Sequence, residues 1–189
     1  MNGKVTISEK VEAQVVRNLT VKSCINLTAH WEWEHFRAGK LIDQWEYDNV
    51  CTAEGLNAML DIMFHAATQI TTWYVEIFET DTTPADGTTY AVPVYTPSTA
   101  YDEATRPEYV EAAASTKSIT NSANKAVFTI SATKIIYGAA LVGGGTAPTT
   151  KGDVAGGGTL FSGSKFAASK SVVDNDVLNV TITITLADS

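Results

Sequence analysis

Residues 27–50 read LTAHWEWEHFRAGKLIDQWEYDNV, with period-two alternation on both sides of Ala38-Gly39. Successive strand side chains point to opposite faces of a sheet, so two such runs around a glycine-containing break predict a β-hairpin turning at Arg37–Lys40. Trp31 and Trp33 then share one face of the first strand, and Trp45 and Tyr47 share one face of the second. Glu32, Glu34 and Glu46 face the other way, towards water.

Beyond the hairpin, TAEGLNAMLDIMFHAA predicts an amphipathic helix at about residues 53–67. Thr52 can cap it, and Glu54 sits in the first turn, where the helix dipole favours negative charge. Leu56, Met59, Leu60, Met63, Phe64 and Ala67 recur at three-and-four spacing, the pattern of a stripe laid on a sheet. Gly55 weakens the first turn by about 1 kcal/mol relative to alanine, so packing must hold the helix. Before the hairpin, residues 1–27 alternate only intermittently and lack aromatic residues, which predicts an extended N-terminal arm.

After the helix, TTWYVEIFET reads as a strand, and four of the five prolines fall in the irregular stretch at 81–113, a pattern typical of binding or contact loops. KAVFTISATKIIYGAALV, TLFSGSKFAASKSVV and DVLNVTITITLA supply further strands. Strands divided by turn clusters such as VDNDV predict a mainly β protein: an antiparallel β-sandwich or jelly-roll-like domain over residues 28–189, bearing one helix.

At 189 residues the chain suits one domain with a sizeable core. Thirteen basic against twenty-one acidic residues give a net charge of -8, which disfavours contact with nucleic acid or an anionic membrane surface. No apolar run is long enough for a signal peptide or a spanning helix, so the expectation is a protein made and used without crossing a membrane. Cys24 and Cys51 form no CxxC pattern and read as small hydrophobes, with a bridge between them left open.

The glycine-rich loop GGGTAPTTKGDVAGGG, residues 143–158, fails as a phosphate cradle. Gly158 and Gly163 have the P-loop spacing, but Ser164 follows, the lysine is one place late, and Phe166 stands where a magnesium-binding hydroxyl belongs. The three histidines, His30, His35 and His65, accompany no GxSxG elbow and no HExxH spacing. His30, Glu32 and Glu34 share a strand face and resemble metal ligands, while His35 points the other way. Asp174 and Asp176 lack the glycine and glutamate of a calcium loop and read as turn residues. The expectation is therefore no catalytic, cofactor or metal residues. Contact is expected at Gly143, Gly144, Gly145, Gly156, Gly157 and Gly158, where bare backbone lets a neighbour approach, and at Trp31 and Trp33. Those two, with Trp45 and Trp73, suit a core or a subunit interface, and a sugar platform is the alternative.

Taken in order, WEYDNVCTAEGLNAMLDIMF, TQITTWYVEIFE, YDEATRPEYVEAA, SITNSANKAVFTISATKIIYGAALVGG and GGGTLFSGSKFAASKSVVDNDVLNVTITITL resemble a family of small tailed-bacteriophage virion proteins. In that family a Trp-rich hairpin, a GLN helix, a TWYV strand and a final LNVT strand occur in this order. The resemblance spans residues 45–187 and implies a non-enzymatic virion structural protein, foremost a capsid decoration (cement) protein on the outer capsid surface. It further implies synthesis in the bacterial host cytoplasm, the major capsid protein as partner, and self-association as a dimer or trimer. A tail, baseplate or fibre component and a carbohydrate-binding β-sandwich module are the alternatives.

Overall fold

The computed structural model describes residues 25–154 and 157–188. Strands β1 (Ile25–Arg37) and β2 (Lys40–Cys51) form the expected hairpin, with Trp33 opposite Trp45 and Arg37 opposite Lys40. Ala38 and Gly39 both take positive φ, 47° and 72°, as a type I′ turn requires. The chain continues through α1 (Ala53–Phe64), β3 (Trp73–Phe78), β4 (Ser118–Thr120), β5 (Ala126–Thr129) and β6 (Lys134–Gly143). A 3-10 turn (Ala147–Thr149), β7 (Thr159–Val172) and β8 (Val177–Asp188) complete it.

All strand pairs are antiparallel, in the order β3-β6-β7-β2-β1-β8-β4, with β5 also paired to β8. β2 joins β7 only through Val50 and Cys51, opposite Gly163 and Ser162. The sheet bends at this narrow junction into a curled half-barrel, a sandwich-like arrangement whose two halves face a common core. The inward row of β1, Ala29, Trp31 and Trp33, meets Val180 and Ile182 of β8 and is fully buried. Alternation in the hairpin thus predicted correctly which side chains turn inward.

Two boundaries differ from the sequence expectation. Ile25, Asn26 and Leu27 belong to β1, so the strand starts inside the expected arm; residues 1–24 lie outside the described residues. The helix stops at Phe64 with His65 as its C-cap, because Ala66 takes a left-handed backbone, φ 56°. The proline-bearing stretch 81–113 is a strap along the sheet. Its backbone bonds along the outer edge of β3, from Ser98 N–H to Ile77 O at 2.8 Å, and from Val75 N–H to Pro107 O at 2.8 Å. Ala112 N–H likewise donates to Thr120 O on β4. Both outermost strands are therefore at least partly covered, which blunts further strand pairing.

The helix corrects another expectation. Its apolar stripe is not laid on the sheet: Leu60, Met63 and Phe64 are exposed, and among helix residues only Gly55 is buried. The first turn alone is anchored. Thr52 caps it by accepting from Gly55 N–H at 3.1 Å, and its own N–H donates to Phe161 O at 3.0 Å. Glu54 accepts from the backbone N–H of Leu160 at 2.6 Å and of Tyr90 at 2.9 Å. Beyond this turn Met59 and Ile62 are half-buried, while Leu60, Met63 and Phe64 are exposed.

Candidate functional site

The tryptophan face is closed. Trp31 and Trp33, expected at an interface, are core residues of a ring stack: Trp33 lies 5.5 Å from Trp45 at an interplanar angle of 7°, and Phe166 caps both edge-on. Lys170 Nζ sits 4.2 Å over the Trp45 ring, held there by Asp43 at 2.8 Å. The physical reason is curvature. Bending the sheet between β2 and β7 brings Phe166 across the hairpin and covers the face that a flat hairpin would have exposed.

The described glycines of the loop, apart from Gly157, are closely packed within the chain. Gly143 is buried, and a Cβ there would meet the Trp73 ring at 2.5 Å. Gly144 and Gly145 have positive φ, 78° and 64°, and a Cβ on Gly145 would run into Gly157 O. Gly158 abuts Tyr90 and Pro148. Gly156 lies outside the described residues. Arg106, buried, reaches up from the strap and donates to Pro148 O at 2.8 Å and Asp153 O at 2.6 Å while pairing with Glu76. The described part of the loop is thus pinned by a buried guanidinium; among its described glycines, only Gly145 and Gly157 are exposed.

On the outward face of the hairpin, register brings together residues that sequence separates. His30 lies opposite Asp48 and Glu32 opposite Glu46. The potential ligand atoms of His30, Glu32 and Glu46 all lie within 4.8 Å of one another, and His30 Nδ1 is 2.9 Å from Asp48 Oδ1. This is the group among the described residues with spacing that could hold a cation. Glu34, which the sequence pattern placed with His30, instead pairs with Lys125 at 2.9 Å and accepts from Asn179. That contact holds its carboxyl below the usual carboxylate range.

The remaining reactive groups are structurally engaged. His35 Nε2 is 2.8 Å from Asp176 Oδ2, and Arg37 donates to both oxygens of that carboxylate at 2.8 and 2.7 Å. Val173 N–H donates to Asp176 as well, at 2.9 Å. The Arg37 bond, with the Val173 N–H and His35, outweighs burial and holds the Asp176 carboxyl well below its ordinary range. Asp176 is therefore more than a turn residue; it clamps the end of β1 to the β7–β8 turn. Sequence reading missed it because 141 residues separate it from His35. Burial pushes the Cys51 thiol up to about 11, away from nucleophilic use. Cys24, its possible partner, lies outside the described residues.

An apolar groove of about 320 Å³ opens beside α1. Met59, Ile62 and Met63 of α1, Ile70 before β3, Trp73 of β3 and Ile184 of β8 are among its lining residues. Glu111 stands among its lining residues. Nothing in the linear sequence marked this groove, since the stripe on α1 reads equally well as core.

Among the described residues, no helix is long and apolar enough to cross a membrane. The sequence matches no protein-family model, and a search of curated proteins finds no significant match.

Proposed function

We propose that this chain is a non-enzymatic structural protein of a tailed-bacteriophage virion, acting as a decoration protein that binds and stabilises the outer capsid shell. The observation that carries the reading is the serial order of the motifs resembling that family. They fall on consecutive parts of one fold: β2 with α1, then β3, the strap, β4 to β6, and β7 with β8. The edge-covered sheet and the exposed apolar end of α1 support it further, because a shell component needs a stable body and a surface to dock. The major capsid protein is the proposed partner, and self-association the proposed state.

A tail, baseplate or fibre component is the second reading, favoured by the same fold. The carbohydrate-binding reading has lost its platform, since Trp31 and Trp33 are buried and Trp45 lies beneath Lys170. Quantitative mass spectrometry of purified virions tests the proposal. A copy number comparable to the major capsid protein is expected. A few copies per particle would move the chain to the tail or portal, and absence from virions would overturn the virion reading.

A further inference from the structure

The outward face of the β1–β2 hairpin gathers negative charge without an ordinary counter-charge. Glu32 stands directly opposite Glu46, and Asp48 stands opposite His30. Like charges directly across a strand pair are destabilising. Among the described residues no lysine or arginine pairs with Glu32, Glu46 or Asp48, and the neighbouring Lys125 is taken by Glu34 at 2.9 Å.

His30 sharpens the conflict. Its Nδ1 lies at hydrogen-bond distance from Asp48 Oδ1, 2.9 Å, so the Nδ1 proton is donated there and Nε2 keeps its lone pair. Nε2 then faces Glu46 Oε2 at 3.8 Å, too far for a hydrogen bond and repulsive for a lone pair against a carboxylate. A cation between them relieves both repulsions. Two ligands of a tetrahedral zinc ion stand about 3.4 Å apart, and the ligand atoms of His30, Glu32 and Glu46 already lie within 4.8 Å of one another. The Glu46 side chain, 73% exposed, is free to close the difference by a change of rotamer.

A separate observation comes from β8. Thr181 is 6% exposed and stands opposite Glu32, on the same outward face. With Glu32 and Glu46 it lines a polar opening of about 410 Å³, and its hydroxyl has no hydrogen-bond partner among the described residues. A hydroxyl so far removed from bulk water calls for a polar occupant of that opening.

We propose that His30, Glu32 and Glu46 bind one divalent transition-metal ion of the zinc type, with Asp48 orienting the imidazole and Thr181 bonding a water on the ion. The donor set selects the ion. One imidazole nitrogen with carboxylate oxygens suits zinc and its neighbours, whereas calcium and magnesium take oxygen ligands. A histidine whose other ring nitrogen is held by a carboxylate is the usual metal ligand, since that bond fixes the tautomer and the ring. The inference does not rest on the virion reading and holds for the isolated protein.

Calorimetric titration of zinc chloride into the full-length chain, first stripped with a chelator and dialysed, provides the test. One ion per chain is expected. His30→Ala and Glu32→Gln should each weaken binding about tenfold or more without lowering the unfolding midpoint of the metal-free protein, and Asp48→Asn should weaken it about tenfold through the imidazole. His65→Ala, which removes the exposed histidine after α1, should bind as the parent does. Cobalt(II) supplies a second reading: its visible absorption should change on binding to the parent and not in His30→Ala. Absence of zinc binding, undiminished binding by His30→Ala, or calcium or magnesium bound as tightly as zinc would each overturn the proposal.

Discussion

Asn121 stands in for a strand. β4 pairs with β8 at residues 183–185 and β5 pairs with it at 177–180, leaving a gap between them. Buried Asn121 fills that gap: its Oδ1 accepts from Ile182 N–H at 2.7 Å, and its Nδ2 donates to Val180 O at 3.1 Å. Buried backbone groups must be paired, so the amide does what a continuous neighbouring strand would have done. Asn121→Ala strands one donor and one acceptor, and chemical denaturation should show a loss of about 1–3 kcal/mol. Asn121→Asp should lose stability too, since a carboxylate cannot donate to Val180 O. In the sequence this residue sits in an ordinary polar turn, SITNSANK, with nothing to set it apart.

At the scale of the element, α1 shows how tertiary contact reverses a propensity argument. Glycine in a first helical turn is unfavourable relative to alanine by about 1 kcal/mol. Yet a Cβ at position 55 would lie 2.6 Å from the Phe161 Cα and carbonyl oxygen, backbone atoms of β7 that cannot step aside. Gly55→Ala should therefore destabilise the protein by about 1–3 kcal/mol, as overpacking does, although isolated-helix propensity predicts a gain. Thermal unfolding of the variant decides between the two, and a raised midpoint would mean that the helix is not seated on β7 as described. The same seating explains the exposed stripe: with its first turn fixed against β7 and the strap, the helix carries Leu60, Met63 and Phe64 outward.

For the whole molecule, the clamp at Asp176 ties the hairpin to the last strand pair and sets the response to acid. Arg37, Val173 and His35 stabilise the ionised carboxylate in the folded chain, so its pKa lies below the unfolded value. The stability it contributes is fully present above about pH 4, the ordinary aspartate value, and is lost as pH falls below it. Asp43, held low by Lys170, and Glu34, held low by Lys125, act in the same direction. Urea midpoints should therefore drop between pH 4 and pH 2, and Asp176→Asn should flatten that limb. At neutral pH, Asp176→Ala should cost about 1–3 kcal/mol, because it leaves the buried His35 ring and the Val173 N–H without their acceptor.

The sequence by itself determined the local geometry of this protein. Alternation in residues 27–50, the Ala38-Gly39 turn, the Thr52 cap and the strand runs ending in DVLNVTITITLA are all written in neighbouring residues. Each survives in the fold because side-chain period and turn chemistry act over a few positions. Tertiary structure alone decided what those elements enclose. Whether Trp31 and Trp33 faced a partner or a core depended on Phe166, more than 130 residues away, and on the bend between β2 and β7. Whether the helix stripe was covered depended on a backbone contact at Gly55, and whether Asp176 was a turn residue or a clamp depended on β1. A residue's type sets what it can bond to, but only the curvature and register of the sheet set which partner arrives.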